Sequence, residues 1–291
     1  INAHWTYEFA LGAMASQLPV VITAHDAPFE ILRMNPSIYR LIRLFMAWKV
    51  IKNARHMTAV SPYIVNHLRK FFGYRKQIVS IPNGFDDNLF SNHTHREESD
   101  GQRFVFFSIA NGWGRLKNEK SLLKAFRIVR EKNPDAELWM FGDSHDLGGI
   151  AAQWAQEHGC ANGVRFCGKV AHTEILNQLS KNADVLVHPS LEESFGNIFV
   201  EAMAFGIPVI GGKNSGAVPF TLGEGQAGLL VDVSEPKGIA EAMNKLMEDK
   251  DFHNKLGNSG KDYARNNYRI SKIVDQYQDV FQMVVNTEKS R

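Results

Sequence analysis

The chain has 291 residues, of which 44% are hydrophobic and 22% are charged, and its formal net charge is +2 at pH 7. This length and composition favour a globular protein of two domains over one of a single domain. No apolar run approaches the roughly 18 residues of a membrane-spanning helix, so any membrane contact is expected to be peripheral.

The two cysteines, Cys160 and Cys167, have neither the spacing of metal ligands nor the pattern of a disulfide framework. The absence of such a pattern favours a protein of the reducing cytoplasm. The alternative is that both cysteines are simply small apolar side chains in the core. The chain begins at Ile1 without an initiator methionine or a signal-peptide pattern, as if it had been cut. We therefore expect a cytoplasmic protein, either free or peripheral at the inner face of the membrane.

A basic segment lies in the first third of the chain, since residues 31–76 contain ten Lys or Arg and no Asp or Glu. Asn35 and Pro36 predict the start of a helix that residues 38–54 continue. Four basic residues are expected near one face of this helix: Arg40, Arg43, Lys49 and Lys52. The segment 33–76 suits an anionic membrane surface or a phosphate-bearing acceptor, unless it is a solvated helix face packed on a sheet. Nucleic acid is not expected, because no aromatic-basic binding motif accompanies these charges.

The first part of the chain also contains three predicted strands and another helix. The strands are expected within 18–24, 57–62 and 78–84, and the helix at 63–72. The first strand ends in His25 and Asp26. Either this pair contacts a substrate hydroxyl or phosphate, or Asp26 caps the loop beside a hydrogen-bonded His25.

A polar segment, 91–102, is expected to link two domains, and strands and helices alternate after it. Strands are predicted at 104–109, 138–141, 164–168, 183–188, 207–210 and 228–231, and helices at 120–131, 150–158, 173–182, 195–205, 236–247, 252–266 and 270–285. This alternation predicts a parallel, doubly wound sheet. The predicted domains are 1–92 and 93–270, and a terminal helix, 271–291, follows them. This helix either ends the second domain or crosses back to the first.

The stretch 183–210 has the most informative functional pattern. A strand ends at His188, a loop contains Glu193, and the following helix ends before Gly206, which suits a left-handed helix stop. In an open α/β sheet, ligands bind beyond the carboxyl ends of the strands, where a helix start presents N–H groups to an anion. The sequence therefore predicts an anion site at the loop 193–197.

Two carboxylates, Glu193 and Glu201, lie eight residues apart in this stretch. A continuous helix would separate them by about 12 Å, which is about the distance from ribose to sugar ring in a nucleotide-diphosphate-sugar. Hydrolysis by paired carboxylates needs about 5 Å or roughly 6.5 to 9.5 Å, so the spacing does not favour it. The alternative interpretation is two surface glutamates on and before a helix.

A second candidate anion site is the loop 110–118, between a predicted strand and a predicted helix. Its glycines allow close backbone approach. Arg115 could neutralise a diphosphate through a bidentate fork, and Lys117 could do so as a point charge. A solvated basic loop would have the same composition, so this motif is weak by itself.

Taken together, these motifs resemble those of family 4 retaining glycosyltransferases of GT-B fold, also described as glycosyl transferases group 1. Glu193 and Glu201 match the family's Glu-seven-residues-Glu signature, with Gly206 and Pro208 after it. Supporting matches are His188-Pro189-Ser190, Thr58-Ala59-Val60-Ser61, Ile81-Pro82-Asn83-Gly84, Val164 to Gly168, and Lys117 eight residues before Ala125-Phe126. The resemblance implies two Rossmann-like, doubly wound parallel-sheet domains that face a cleft.

The resemblance also assigns roles to single residues, with Glu193, His25 and Lys117 as the expected catalytic ones. Glu193 would contact the hydroxyls of the donor sugar, and Lys117 would stabilise the departing diphosphate. His25 resembles a histidine that faces the donor sugar near the acceptor. Glu201 would contact the ribose, and Arg115 is a candidate ligand of the nucleotide-sugar. Diphosphate and ribose would be held at the helix start by Ser194, Phe195, Gly196, Asn197 and Ile198.

The reaction that the resemblance implies moves a sugar from a nucleotide-diphosphate-sugar to a saccharide or lipid-linked glycan, with retention of anomeric configuration. The leaving phosphate assists deprotonation of the acceptor, so catalysis is mainly positioning and electrostatic stabilisation. Neither a cofactor nor a metal is expected, and the one Asp-x-Asp match, Asp249 to Asp251, lies in a charged helix connection. The expected context is biosynthesis of cell-surface polysaccharide, including lipopolysaccharide.

The chain departs from the family pattern at three places. Arg115 lies two residues before Lys117 where the family has five or six, and Asn118 stands where glycine is common. The first domain, 1–92, has roughly half the usual length, so we expect it to be incomplete, which leaves the activity of the fragment open. Two alternatives follow: a nucleotide-sugar-binding module without catalysis, and another GT-B enzyme such as a sugar-nucleotide epimerase or a phosphorylase.

Overall fold

The computed structural model describes residues 1–91 and 103–289. The chain divides into two compact units, one made of 1–86 with the segment that begins at Tyr268, the other of 87–267. Nearly all of the expected linker lies outside the described residues. Each unit is built on a parallel sheet with helical connections, which confirms the predicted fold class.

The first unit contains four parallel strands that lie side by side in chain order. They are β1 (Asn2–His4), β2 (Val21–Ala24), β3 (His56–Ala59) and β4 (Ile78–Ser80), joined by the helices α1 (Glu8–Ala15), α2 (Pro28–Met34), α3 (Ile38–Asn53) and α4 (Pro62–Phe72). In register, His4 pairs with Thr23 and Thr23 with Thr58. The residues that follow β1 and β2 therefore meet at one edge of the sheet.

Three elements of this unit, β1, α1 and α2, are absent from the sequence-based prediction. β1 has only three residues, and α1, with the sequence EFALGAMA, is apolar on most sides, so neither shows a clear period. Helix α3 begins at Ile38, after the expected start at Asn35 and Pro36. The reason is Ser37, whose hydroxyl accepts a hydrogen bond from the Arg40 N–H at 3.2 Å and caps the helix.

The second unit contains six parallel strands and seven α-helices among the described residues. The strands are β5 (Val105–Ile109), β6 (Glu137–Phe141), β7 (Val164–Gly168), β8 (Val185–His188), β9 (Val209–Gly212) and β10 (Leu229–Val231). The helices are α5 (Glu119–Lys132), α6 (Ile150–Glu157), α7 (His172–Asn182), α8 (Asn197–Ala204), α9 (Val218–Thr221), α10 (Pro236–Glu248) and α11 (Lys250–Tyr268). The short α9 is absent from the prediction.

The order of these strands is β10-β9-β8-β5-β6-β7, so the direction of winding reverses between β5 and β8. The loops that follow β5 and β8 leave neighbouring strands at this switch point, where α/β sheets bind their ligands. A buried core holds the sheet against α5 and α10, and Phe106, Leu138, Val185 and Ile210 are among its members. The fold thus brings the two loops with predicted anion-binding residues next to each other.

The last helix, α12 (Ile270–Lys289), belongs to the first unit. Its residues Ile273 and Val280 pack with Val21 and Ile81 in one apolar cluster. None of the described helices is long and apolar enough to cross a membrane.

Candidate active site

Glu193, in the loop between β8 and α8, is the centre of the candidate site. Its Oε1 lies 2.7 Å from the ammonium nitrogen of Lys117 and 2.8 Å from Nε2 of His188, the last residue of β8. A backbone hydrogen bond of 2.8 Å from Leu191 to Leu116 also joins the two loops. Two of the predicted site residues, Glu193 and Lys117, therefore contact each other at the switch point.

The charge on Glu193 is set by its surroundings. Burial raises the pKa of this carboxyl, but hydrogen bonds and charge from His188 and Lys117 outweigh burial and hold the pKa well below its ordinary value. Glu193 is therefore ionised at physiological pH. An ionised carboxylate suits a hydrogen-bond acceptor for substrate hydroxyls and does not suit a general acid.

Asn118 holds Lys117 in place at the start of α5. Its backbone is left-handed, with φ 55°, a conformation that Asn tolerates better than most residues other than glycine. Its side-chain amide donates to Pro189 O at 3.2 Å and to Val233 O at 2.6 Å. Asn118 thus adopts a conformation that glycine would also allow, and it adds two contacts to neighbouring loops.

Two substitutions separate the backbone and side-chain contributions of Asn118. We expect Asn118→Ala to lower the free energy of unfolding by about 2 kcal/mol, because three side-chain hydrogen bonds are lost, including the one that Asn118 accepts from the Ser121 hydroxyl at 2.8 Å, and alanine is strained in the left-handed region. Asn118→Gly removes the strain and should cost only about 1 kcal/mol. Urea denaturation measures both values, and equal losses in the two variants would contradict the assignment of backbone strain.

Helix α8 begins at Asn197, two residues later than the sequence predicts. Gly196 precedes it with φ 87°, and a Cβ at this position would lie 2.7 Å from the Phe199 ring. Phe195 is buried, and the Thr221 hydroxyl donates to its carbonyl oxygen. Phe195 can therefore offer only backbone atoms to a ligand. The first turn of α8 begins at Asn197, and its Phe199 N–H donates to the Gly196 carbonyl oxygen at 3.1 Å.

Glu201 lies in the second turn of α8 and is buried. Its Oε1 is 2.9 Å from Nε2 of His172, the first residue of α7. Burial raises the pKa of Glu201, and His172 opposes this shift. Because α8 begins only at Asn197, the separation of about 12 Å from Glu193, which assumed a continuous helix, does not apply.

A turn after β9 that the sequence analysis does not identify fixes the backbone of Glu193. The N–H of Ala217 donates to the Glu193 carbonyl oxygen at 2.7 Å. Gly216 has φ 60°, and a Cβ there would lie 2.4 Å from the same oxygen, so only glycine fits. The available signal is the glycine-rich run 211–216.

Arg115 is the predicted loop residue that the structure does not bring to Glu193. Its side chain is exposed and forms no ion pair or hydrogen bond with the described residues.

The Asp-x-Asp match, Asp249 to Asp251, has a structural role in one of its two carboxylates, since Asp249 accepts a hydrogen bond from the Phe252 N–H at 2.9 Å and caps a turn. Within 1–91 and 103–289, no three His, Cys, Asp or Glu form a group that could hold a metal. Metal independence stays a prediction.

His25 follows β2 in the first unit and contacts another histidine. Its Nε2 lies 2.7 Å from Nδ1 of His4, the last residue of β1, and its ring centroid lies 5.0 Å from that of Trp5. Burial and then the proximity of His4 lower the pKa of His25 to about 4, so the ring is neutral at pH 7. The sequence gives no sign of His4 or Trp5, because β1 has no recognisable strand pattern.

Asp26 lines a cavity of about 400 Å³ in the first unit. The Tyr7 hydroxyl lies 3.0 and 2.9 Å from the two Asp26 carboxylate oxygens. The Arg43 guanidinium carbon is 3.7 Å from the Tyr7 ring centroid, and its buried Nε has no hydrogen-bond partner among the described residues. Burial raises the pKa of Asp26 to about 6, against the effects of Tyr7 and Arg43. Asp26 therefore faces a cavity that charged and apolar side chains line together.

The four basic residues of α3 do not share one face, contrary to the prediction. Arg40 and Arg43 line the cavity beside Asp26. Lys49 and Lys52 are exposed elsewhere on the helix, and the Lys52 ammonium lies 4.8 Å from the Trp48 ring centroid. Six residues of helix turn Lys49 about 120° away from Arg43, so the basic charge is divided between two surfaces.

Asp26→Asn should stabilise the protein at neutral pH. The pKa of Asp26 is raised from 3.8 to about 6, so ionisation of this carboxyl destabilises the folded state above pH 6, by about 3 kcal/mol. Well below pH 3.8 the carboxyl is protonated in both the folded and the unfolded state, and the two proteins should have similar stability. Urea denaturation at about pH 2.5 and about pH 7 measures the difference. A variant less stable than the native protein at pH 7 would contradict the cost of the buried charge.

The two parallel α/β sheets and the switch-point loops that carry Glu193 and Lys117 define a doubly wound α/β protein, a class that binds its ligands at such loops. Residues 91–263 match the family model described as glycosyl transferases group 1, and residues 1–89 match that described as glycosyltransferase family 4. The chain therefore belongs to the glycosyl transferases group 1 family, which confirms the family that its motifs predict.

Known relatives agree with this assignment. The chain is 27% identical over 302 residues to N-acetyl-alpha-D-glucosaminyl L-malate synthase of Bacillus anthracis, covering 100% of this chain and 76% of that protein. It is 33% identical over 156 residues to D-inositol 3-phosphate glycosyltransferase of Corynebacterium kroppenstedtii, covering 52% of this chain and 34% of that protein. The chain thus spans about a third of the length of this second relative.

A solved structure shares the fold. HepE of Anabaena, crystallised in complex with UDP and glucose, has a TM-score of 0.76 and 23% identity, covering 94% of this chain and 74% of that chain. Its likeness and the two parallel sheets confirm the GT-B fold with two Rossmann-like domains.

Proposed function

We propose that this protein transfers a sugar from a nucleotide-diphosphate-sugar to a hydroxylated acceptor, with retention of anomeric configuration. The observation that carries the proposal is the half-buried carboxylate of Glu193, which Lys117 and His188 keep ionised. An ionised carboxylate accepts hydrogen bonds from sugar hydroxyls, and a neighbouring lysine can stabilise a departing diphosphate. Membership of the family and the UDP complex of HepE support a nucleotide-sugar donor.

In this proposal the second unit binds the donor. The N-terminus of α8 carries partial positive charge on its first-turn N–H groups, and these groups hold the diphosphate around Asn197. Glu201 accepts hydrogen bonds from the ribose hydroxyls, which either replace its contact with His172 or form beside it. Arg115, exposed in the same loop as Lys117, remains free to reach a phosphate.

The proposed chemistry is electrostatic and needs no enzymic nucleophile. The bond from the anomeric carbon to the diphosphate breaks, and the acceptor oxygen bonds to that carbon on the same face. A phosphate oxygen of the leaving group takes the acceptor proton, and Lys117 stabilises the negative charge that develops on the diphosphate. Glu193 orients the donor sugar. The neutral His25 of the first unit is proposed to donate a hydrogen bond to a substrate hydroxyl.

The first unit is proposed to bind the acceptor in the cavity that Asp26, Arg40 and Arg43 line. Guanidinium groups recognise phosphate or carboxylate, and a carboxylate accepts hydrogen bonds from hydroxyls. The two relatives are named for L-malate and for D-inositol 3-phosphate, which carry such groups. We therefore propose a hydroxylated acceptor with an anionic group. Within this class we favour a phosphate-linked glycan of cell-surface polysaccharide synthesis.

Nucleotide release distinguishes this proposal from its alternatives. A thermal-shift screen against the common nucleotide-sugars identifies the donor, because a ligand of the folded state raises Tm with its concentration. Free nucleotide is then measured with and without phosphate-bearing acceptors, and NMR gives the anomeric configuration of the product. Acceptor-dependent release with retained configuration supports the proposal. Donor binding without such release by the full-length protein would favour a binding module, and an epimerised or phosphorolysed product would favour another GT-B enzyme.

Glu201→Ala should weaken donor binding more than it slows turnover. The proposed ribose contact is remote from the bond that breaks, so its loss affects the ground state and the transition state alike. We expect the nucleotide Kd to rise roughly tenfold and kcat to change less than about threefold. Calorimetric titration with UDP measures Kd, and Glu241→Ala, at an exposed position of α10, is the matched control. An unchanged Kd in Glu201→Ala would contradict the ribose contact.

A further inference from the structure

Helix α3 turns an apolar face toward solvent. Its inward residues Ala47, Val50 and Ile51 are buried. Large apolar side chains are exposed on the opposite half of the helix, as the rotation of about 100° per residue requires. They are Ile38 (81% exposed), Leu41 (58%), Ile42 (55%), Phe45 (66%) and Trp48 (47%). We call these five residues, with Phe29 and Phe71 beside them, the α3 face.

A cavity within the α3 face is lined by apolar side chains. It has a volume of about 380 Å³, and its walls are Phe29, Leu41, Leu44, Phe45, Trp48, Phe71 and Phe72. The rings of Phe29 and Phe71 stack with centroids 4.8 Å apart, so α2 and α4 extend the surface beyond α3. A contiguous exposed apolar surface of this kind marks a binding site on a folded protein.

Basic residues border this surface. The ammonium groups of Lys52 and Lys70 lie 4.8 and 5.2 Å from the ring centroids of Trp48 and Phe71. Residues 31–76 contain no acidic side chain to balance them. Two copies of the α3 face in contact would bring like charges together, which disfavours a dimer through this surface. Aromatic rings bordered by lysines instead fit the interface of an anionic bilayer, where lysine stems reach the headgroups.

We propose that the α3 face docks on an anionic lipid bilayer. Phe45 and Trp48 enter the boundary between headgroups and acyl chains, and Lys49 and Lys52 contact the lipid phosphates. Helix α3 then lies in the plane of the interface, with Ala47 and Val50 still packed on the protein. This role is independent of the proposed glycosyl transfer, since it requires no residue of the candidate active site.

Vesicle flotation tests the proposal. The protein should float with vesicles of equal parts phosphatidylglycerol and phosphatidylcholine and bind far less to phosphatidylcholine alone. The double variant Phe45→Ser, Trp48→Ser should partition roughly a hundredfold less. Lys49→Ser with Lys52→Ser should lose roughly tenfold or more on the anionic vesicles only. Leu147→Ser, which removes an apolar side chain of the second unit that is 89% exposed, is the matched control and should bind as the native protein does.

A second measurement covers the case in which the double variant does not fold. The fluorescence of the native protein should shift to the blue and be quenched by brominated lipid, and Trp48→Phe should lose most of this response. Failure of the native protein to float, or full binding by a folded double variant, would overturn the proposal. So would a native dimer that the double variant dissociates without any binding to lipid, because the α3 face would then join two copies of the chain.

Discussion

Glu193→Gln should reduce kcat by a factor of about 10² to 10³, while the affinity for nucleotide stays within about threefold. Glutamine keeps the shape of the side chain but removes the charge that faces Lys117 at 2.7 Å and His188 at 2.8 Å. The hydrogen bonds that orient the donor sugar then weaken as positive charge develops at the anomeric carbon. The proposed nucleotide contacts at α8 are unchanged, so binding of free nucleotide is preserved.

Steady-state kinetics with donor and acceptor give kcat, and calorimetric titration with nucleoside diphosphate gives the affinity. Glu241→Gln removes the same charge at an exposed position of α10 and should leave both values unchanged. If Glu193→Gln and Glu201→Ala lost nucleotide binding equally, the separate sugar and ribose roles would be wrong. A normal kcat in Glu193→Gln would remove the observation on which the proposed function rests.

The fold of the second unit can be predicted from the sequence because its central strands are buried on both faces. β5, β6 and β8 are short apolar runs, and amphipathic helices separate them. In the first unit the same patterns predict β2, β3 and β4 but not β1. A strand of three residues, Asn2–His4, is defined by its pairing with β2 and has no period of its own.

The start of α8 shows how tertiary contacts override a local pattern. The apolar sequence that begins at Phe195 continues into the helix, so periodicity alone extends α8 too far toward its N-terminus. The left-handed backbone of Gly196 and the hydrogen bond from Thr221 to Phe195 set the actual start at Asn197. Thr221 lies beyond β9, and no pattern near Phe195 indicates this contact.

In the candidate site, too, the sequence predicts residues that belong to local motifs but not the distant residues that contact them. Motifs identify Glu193 and Lys117 because each lies in a loop after a strand that the sequence reveals, and Glu201 because it follows Glu193 at the family's spacing. Their partners are not identified, since a histidine at a strand end, as at His188, is ordinary in a buried core. The contact between His4 and His25 depends on the register of β1 with β2, which only the folded sheet establishes.

Lys117→Met should lower kcat/KM for the donor by about 10³, because it removes the charge that is proposed to stabilise the departing diphosphate. Methionine retains most of the aliphatic length of lysine, so the loop after β5 keeps its packing. The substitution also acts on Glu193. Without the ammonium group, the pKa of Glu193 rises, although the contact with His188 still lowers it and burial still raises it. Kinetics at several values of pH, combined with urea denaturation, measure both effects.

The effect on Glu193 separates a leaving-group role of Lys117 from a structural one. The ionised form of Glu193 stabilises the native protein above the ordinary carboxyl pKa of 4.5, and this stabilisation is lost only as the pH falls through the depressed folded-state pKa. Lys117→Met should therefore be less stable than the native protein at pH 7, by an amount that shrinks well below pH 4.5.

Lys120→Met is the control, since the exposed ammonium of Lys120 lies 5.8 Å from the Trp113 ring centroid. This variant should behave as the native protein does. A Lys117→Met protein with this loss of stability and a native kcat/KM would show that Lys117 only supports Glu193, because a charge that stabilises the leaving group cannot be removed without slowing its departure.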